Sequence, residues 1–408
     1  MKFERLGNKV TQIRGISYKP SDISENPKID YVPVLKANNI TETGLNTSNL
    51  IYIHKSKVRK EQFIKKGDLL LAASSGSKDI VGKNIYFEND FNGSFGAFCK
   101  LVRPNEKIIP EFLGVFFKTP YFKRHIRALI NGALINNLKN EHIDSLKVPE
   151  LPFSDQLYIA NLLTKAENLI AQRKESIRLL DEFLKITFLE MFGDPKNNEK
   201  GFAIRNLTEF YINPKEGTKC GPFGSALKKD EYTETGIPVW TMDNILKTGE
   251  FNESGCLFVS EIKHKELERY NALNGDIIIS RAGTVGKMCI IKTDAKKSVI
   301  SSNLIRLRLG KDLLPIYFYS LMRYCQSRVI KLKHGNEDSY THMSTGILDE
   351  INFPYPSIEF QTKFAHIVEK TELLKEQYQQ SLLDLEALYG SLSQKAFRGE
   401  LKNRSLNI

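Results

Sequence analysis

Gly275-Asp276-Ile277-Ile278-Ile279-Ser280-Arg281 reads as a buried strand that ends in a small hydroxyl residue and a base. Three consecutive β-branched residues between a Gly-Asp turn signal and a polar end are the pattern of a strand covered on both faces. About 205 residues earlier the same pattern occurs as Gly67-Asp68-Leu69-Leu70-Leu71. Further matches extend outward from this pair, in order and at nearly one offset. Val32-Pro33-Val34, Asn39-Ile40 and Thr43-Gly44 fall on Ile237-Pro238-Val239, Asn244-Ile245 and Thr248-Gly249. Val81-Gly82-Lys83 falls on Val285-Gly286-Lys287, and Ile109-Pro110 on Leu314-Pro315. Pro149-Glu150-Leu151-Pro152 lines up with Pro354-Tyr355-Pro356, and Gln156 with Gln361. Chance supplies one or two such pairs; an ordered series marks a duplicated unit.

Each unit has two compositional parts. The first, about 150 residues, alternates short β-branched and aromatic runs with Gly, Asn and Pro, then turns helical after Pro110 and after Pro315. The second part begins at Ser154 and at Ser357. From Ser154 to Phe192 there is no Gly or Pro. Alternating steps of three and four give Leu163, Ala166, Ile170, Arg173, Ile177, Leu180, Leu184, Thr187 and Met191. The same steps give Val368, Thr371, Lys375, Tyr378, Leu382, Leu385, Tyr389, Leu392 and Ala396. Both are mostly apolar, which is a coiled-coil seam. Gly193-Asp194-Pro195 and Gly399 supply the stops.

Such a helix spans ~60 Å, against a radius of gyration of ~15 Å for a 150-residue domain. An amphipathic helix lying only on its own domain would overhang it, and the nearest partner is its duplicate. The expected fold is therefore α+β. Two duplicated mixed α/β domains, residues 1–152 and 196–356, are separated by two long helices, 153–195 and 357–402, forming an antiparallel coiled coil with pseudo-two-fold symmetry. Ile170, Ile177, Leu180, Leu184, Tyr378, Leu382, Leu385 and Leu392 are the expected seam contacts.

Composition narrows the function classes. In 408 residues, 41% are hydrophobic and 26 are Gly, the balance of an ordinary globular protein. The longest uncharged apolar run, Leu313 to Met322, is about half of a membrane span. The amino terminus has no apolar leader pattern, and the five cysteines lack C-x-x-C spacing, so a soluble cytoplasmic protein without membrane, disulfide framework or structural zinc is expected. Lys and Arg total 59 against 48 acidic residues, a net charge of +11 that favours a polyanion partner.

The chain has no Pro-Pro for an adenine-methylating site, no G-x-S-x-G elbow and no H-E-x-x-H among its seven histidines. Gly283-Thr284-Val285-Gly286-Lys287 is too short for a phosphate-binding loop and continues into Met288. No catalytic or metal-ligating residue is expected.

What the duplicated strands end in is more informative. Ser74, Ser75, Lys78 and Lys83 in the first copy, and Arg281, Thr284 and Lys287 in the second, combine hydroxyls, bases and glycines that permit close backbone approach. They suit phosphate contact, and Arg281 suits a guanine edge; a tight turn carrying a solvated base is the competing reading. Lys219-Cys220-Gly221-Pro222-Phe223-Gly224-Ser225-Ala226-Leu227-Lys228-Lys229 is a second candidate, with Lys219, Ser225 and Lys228 as contacts. The first copy lacks this string; its corresponding region, Gly15 to Lys19, is short and dissimilar. Asn244 presents an amide that could pair with adenine or cap a turn.

Taken together, the duplicated domain-plus-helix plan resembles the specificity subunit of type I restriction-modification systems. So do Gly221-Pro222-Phe223-Gly224-Ser225, Met191-Phe192-Gly193-Asp194-Pro195 and Lys395-Ala396-Phe397-Arg398-Gly399-Glu400-Leu401, and the resemblance spans essentially the whole chain. It implies two target recognition domains, each reading one half of a split double-stranded DNA site. The helices would set the gap and dock two modification subunits. Those subunits would use S-adenosylmethionine to methylate adenine, and restriction subunits would use ATP and Mg to translocate and cleave, leaving this chain without a cofactor. Two other readings compete: a fused restriction-methylation enzyme with an unrecognised catalytic part, and a coiled-coil adaptor that binds no DNA.

Overall fold

The computed structural model describes residues 2–41, 44–77, 80–132, 137–223, 226–325 and 343–402. Two compact units form, one of Met1–Glu175 with Gln379–Ile408 and one of Ser176–Tyr378. Both are mixed α+β, and both contain segments of the two long helices, Phe153–Phe192 and Ile358–Phe397.

In the first unit a four-stranded antiparallel sheet runs Val10–Arg14, Cys99–Pro104, Leu69–Ala72, Asn84–Tyr86. The second unit repeats that order with Thr218–Cys220, Leu304–Leu307, Ile277–Ser280 and Met288–Ile290. The apolar runs at the centre are explained by what lies on each face. Successive strand side chains point to opposite sides. Leu69 and Leu71 enter a core with Phe112, Phe116 and Ile159, whereas Leu70 and Ala72 enter another with Leu35 and Phe95. Ile277 and Ile279 enter a core with Phe188 and Phe364, and Ile278 enters another with Trp240 and Val299. Burial on both faces leaves no room for alternation with polar residues.

The Gly-Asp pair in front of each central strand is a structural device. Gly67 and Gly275 both hold φ at 89°, a backbone region where glycine is favoured. The Asp68 carboxylate accepts Lys65 N at 2.7 Å and the Arg103 guanidinium through two bonds of 2.8 and 2.7 Å. Asp276 repeats this with Leu273 N at 2.7 Å and Arg308 at 2.8 and 2.7 Å. The matched glutamines form a second duplicated lock. Gln156 accepts Ile109 N at 2.9 Å and donates to Leu151 O; Gln361 accepts Leu314 N at 2.9 Å and donates to Pro356 O. Each buried amide thus ties the start of a long helix to the start of the helix that follows Ile109 or Leu314.

Within each unit the two long-helix segments run antiparallel. In the first, Glu167 accepts the Tyr389 hydroxyl at 2.7 Å and Lys174 pairs with Glu386. In the second, Asp181 meets Lys375, Phe188 meets Phe364, and Phe192 meets Phe360. Leu184 is buried, and Ile170, Ile177, Leu180, Tyr378, Leu382, Leu385 and Leu392 are half-buried. The helix-end strings have a packing role. Phe192, ending the first helix, packs on Tyr317 in the second unit at 4.9 Å; Phe397, ending the second, packs on Phe112 in the first unit at 5.2 Å.

Lys375 interrupts the apolar seam with its side chain only 5% exposed, and its ammonium lies 2.9 Å from both Asp181 and Glu250. Burial alone would lower its proton affinity, but the two carboxylates hold it above the ordinary lysine value. In the first unit the comparable tie has the opposite sign: Glu167 accepts both Tyr389 and Lys118. Among the described residues no helix is long and apolar enough to cross a membrane.

Candidate nucleic-acid interface

The residues that follow the two central strands occupy the same place in each unit. Ala72 N donates to Lys83 O and Gly82 N to Ala72 O, both at 2.9 Å. Ser280 N donates to Lys287 O at 2.7 Å and Gly286 N to Ser280 O at 2.9 Å. Gly82 and Gly286 both have positive φ, 89° and 85°, which closes the loop neck.

Between the necks the copies differ. In the second unit the buried Ser280 hydroxyl accepts Lys287 N at 2.9 Å and donates to Thr284 O. Thr284 is exposed, and Arg281 and Lys287 are half-buried. Arg281 is fixed at its backbone, donating to Asn303 O at 2.9 Å and accepting from Met343 N at 2.8 Å. In the first unit Ala72 has no hydroxyl for this purpose, while Ala73 is fixed at its backbone as Arg281 is. Ala73 N and Ser74 N donate to Phe98 O at 2.9 and 3.0 Å, and Leu138 N to Ala73 O at 2.7 Å. Lys100, buried beneath, donates to Leu138 O and Asn140 Oδ1 at 3.0 and 2.7 Å, and burial pushes its ammonium down to about 8. Ser75 accepts from Ser77 N at 3.2 Å, a local turn bond, and Lys83 is half-buried at the neck. Lys78 lies outside the described residues.

The Gly221-Pro222-Phe223 turn brings a third element to the same loop. A Cβ at Gly221 would run into the Ser301 backbone carbonyl, and one at Gly15 into that of Gly96. The dissimilar Gly15 region is thus the structural counterpart of the Gly221 turn. Phe223 then lies over Arg281, with the guanidinium carbon 4.5 Å from the ring centroid. This residue was missed as a candidate, although an exposed aromatic in a Gly-Pro-Phe-Gly turn is the signal that could have found it. Lys219 lies back from the loop on strand Thr218–Cys220, 3.9 Å from Glu216. The buried Arg306 holds the Glu216 carboxyl below its usual range. Lys228 is exposed, its backbone N donating to Glu231 at 2.6 Å. Ser225 lies outside the described residues.

Asn244 requires a correction. Its side chain is buried, its oxygen accepts Thr241 N at 2.8 Å, and its amide donates to Asn252 O at 2.8 Å. Asn39 does the same with Lys36 N and Asn46 O. With donor and acceptor both satisfied internally, this duplicated amide is a turn cap and offers no edge to a base.

Known proteins share this plan. The family model for the type I restriction modification DNA specificity domain matches residues 7–179 and 223–384. The EcoKI type I restriction enzyme specificity subunit of Escherichia coli K12 is 29% identical, covering 96% of this chain and 87% of that protein. The StySPI specificity subunit of Salmonella potsdam is 26% identical over the same shares. Among solved structures, a type I system S subunit from M. genitalium aligns with a TM-score of 0.59 over 97% of this chain and 96% of its own, at 18% identity. A structure from a study of type I system assembly and conformational transition aligns at 0.60 over 98% of both chains, at 17% identity. Neither the fused enzyme nor the DNA-free adaptor draws support from these matches. With the domain present twice and relatives matched along nearly their full length, the chain belongs to the type I restriction-modification DNA specificity family.

Proposed function

We propose that each globular copy, residues 1–152 and 196–356, reads one half of an interrupted, asymmetric double-stranded DNA site. The loops at Ser74–Lys83 and Arg281–Lys287 are assigned to that reading, with Lys219 and Lys228 as phosphate contacts near the second. The observation that carries this is a contrast within the duplication. The Asp–Arg pairs, glutamine locks, loop necks and the backbone bonds of the first loop residue are held in common, while the residues between the necks differ in length and chemistry. Two different readers in one chain suit an asymmetric site, whereas an identical dimer would require a palindrome. Bases position the protein on phosphates and groove contacts discriminate.

The helical segments 153–195 and 357–402 act as the spacer that sets the gap and as the docking surface for two modification subunits. Methyl transfer from S-adenosylmethionine to adenine belongs to those partners. ATP- and Mg-dependent translocation and cleavage belong to restriction subunits, and this chain works in the cytoplasm without a cofactor of its own. The test is selection from randomised duplexes by the chain assembled with its modification subunits. Two conserved blocks at one fixed gap are expected. Inserting a heptad after Leu180 should change the gap and leave the bases read unchanged. A single block, or methyl transfer by this chain alone, would overturn the reading.

A further inference from the structure

Phe223 and Arg281 form a pair that neither half explains. The ring is 60% exposed, which is costly for a large apolar group, yet it lies 4.5 Å above the guanidinium. Beneath it, Arg281 Nη1 is shielded from solvent and has no hydrogen-bond partner. A charged donor removed from water without an acceptor is destabilising, and such an arrangement calls for an explanation. The Arg281 backbone is pinned by Asn303 and Met343. Among the described residues the ring is held only by its stack and the turn it follows, since 60% of its surface is exposed.

We infer that Phe223 is a specificity-determining residue of the second recognition domain. It holds the Arg281 guanidinium stacked and unpaired in the free protein, and yields when a base edge brings the missing acceptor. The stack restricts the flexible side chain to one plane, so the donors are oriented before contact; a guanine O6/N7 pair is the acceptor whose spacing suits them. This inference rests on the proposal that the Arg281 loop reads DNA. The first unit also places a largely exposed aromatic, Phe98 at 68%, beside its own loop, through the carbonyl that receives Ala73 N and Ser74 N. It comes from a non-equivalent position, as independent specialisation of two readers would produce.

The test uses the chain assembled with its modification subunits and a randomised duplex library, comparing Phe223→Leu, Phe223→Tyr, Arg281→Ala and the Phe223→Leu/Arg281→Ala double variant. Phe223→Leu should lower the preference at one base pair by about tenfold, the same base pair that Arg281→Ala relaxes. The double variant should be no worse than Arg281→Ala, and Phe223→Tyr should restore the preference because stacking survives. The other half-site and the salt dependence should not change. Full retention of preference in Phe223→Leu, failure of Phe223→Tyr to restore it, or equal loss in both half-sites overturns the inference. If the unaltered complex selects no split site, the recognition reading itself has failed.

Discussion

The loop that follows Ser280 and the one that follows Ala72 share a neck, the anchoring of their first residue and little else. Both are held from outside at the first residue after the strand, Arg281 by Asn303 O and Met343 N and Ala73 by Phe98 O and Leu138 N, but in the second loop one buried serine hydroxyl also spans from Lys287 N to Thr284 O. The first lacks that hydroxyl and has instead a second bond to Phe98 O, from Ser74 N, and the buried Lys100 beneath Leu138. The scaffold below is the same in both, down to the two hydrogen bonds between each Asp and its Arg. Duplication therefore preserved what the core requires and released what faces outward. A loop free to change its length and its bracing can change its ligand without endangering the fold.

If the scaffold is truly shared, breaking it should be equally costly on both sides. Asp68→Ala and Asp276→Ala each leave a mostly buried arginine without its carboxylate, and each should destabilise its own unit by about 3 kcal/mol. Thermal or denaturant unfolding of the two variants side by side checks this; a large cost on one side only would break the equivalence. Gln156→Ala and Gln361→Ala leave the Ile109 and Leu314 amides unpaired, at about 2 kcal/mol each, by the same measurement.

The loops should differ where their support differs, at the buried Lys100 of the first unit. Lys100 has a folded-state proton affinity below that of an unfolded lysine. Folding thus carries a penalty that is fully present below about pH 8 and fades as pH climbs toward the ordinary lysine value. Relative to Lys100→Met, the wild-type chain should gain on the order of 3 kcal/mol across that window. Denaturant titrations of both proteins at several pH values show it. A difference that stays flat with pH would remove Lys100 from the account.

The duplication and both helices were legible in sequence because their signals are local. Ile277-Ile278-Ile279 and Leu69-Leu70-Leu71 are runs that only two-sided burial produces, and the seam residues recur at a coiled-coil period. The site was only partly legible. Asn244 was ambiguous because an amide capping a turn and an amide reading adenine have the same composition, and only burial separates them. The Phe223–Arg281 stack joins residues far apart in the chain, so no spacing rule could reveal it. The Gly-Asp pair was visible as a match, but its arginine partners come from a strand that carries no distinguishing motif.

The claim that two readers act separately meets its most direct test in Arg281→Ala, profiled over randomised duplexes in the assembled complex. Discrimination should fall by ~1–3 kcal/mol at one base pair of one half-site, with the other half unchanged. Loss of preference in both halves, or in neither, would contradict it.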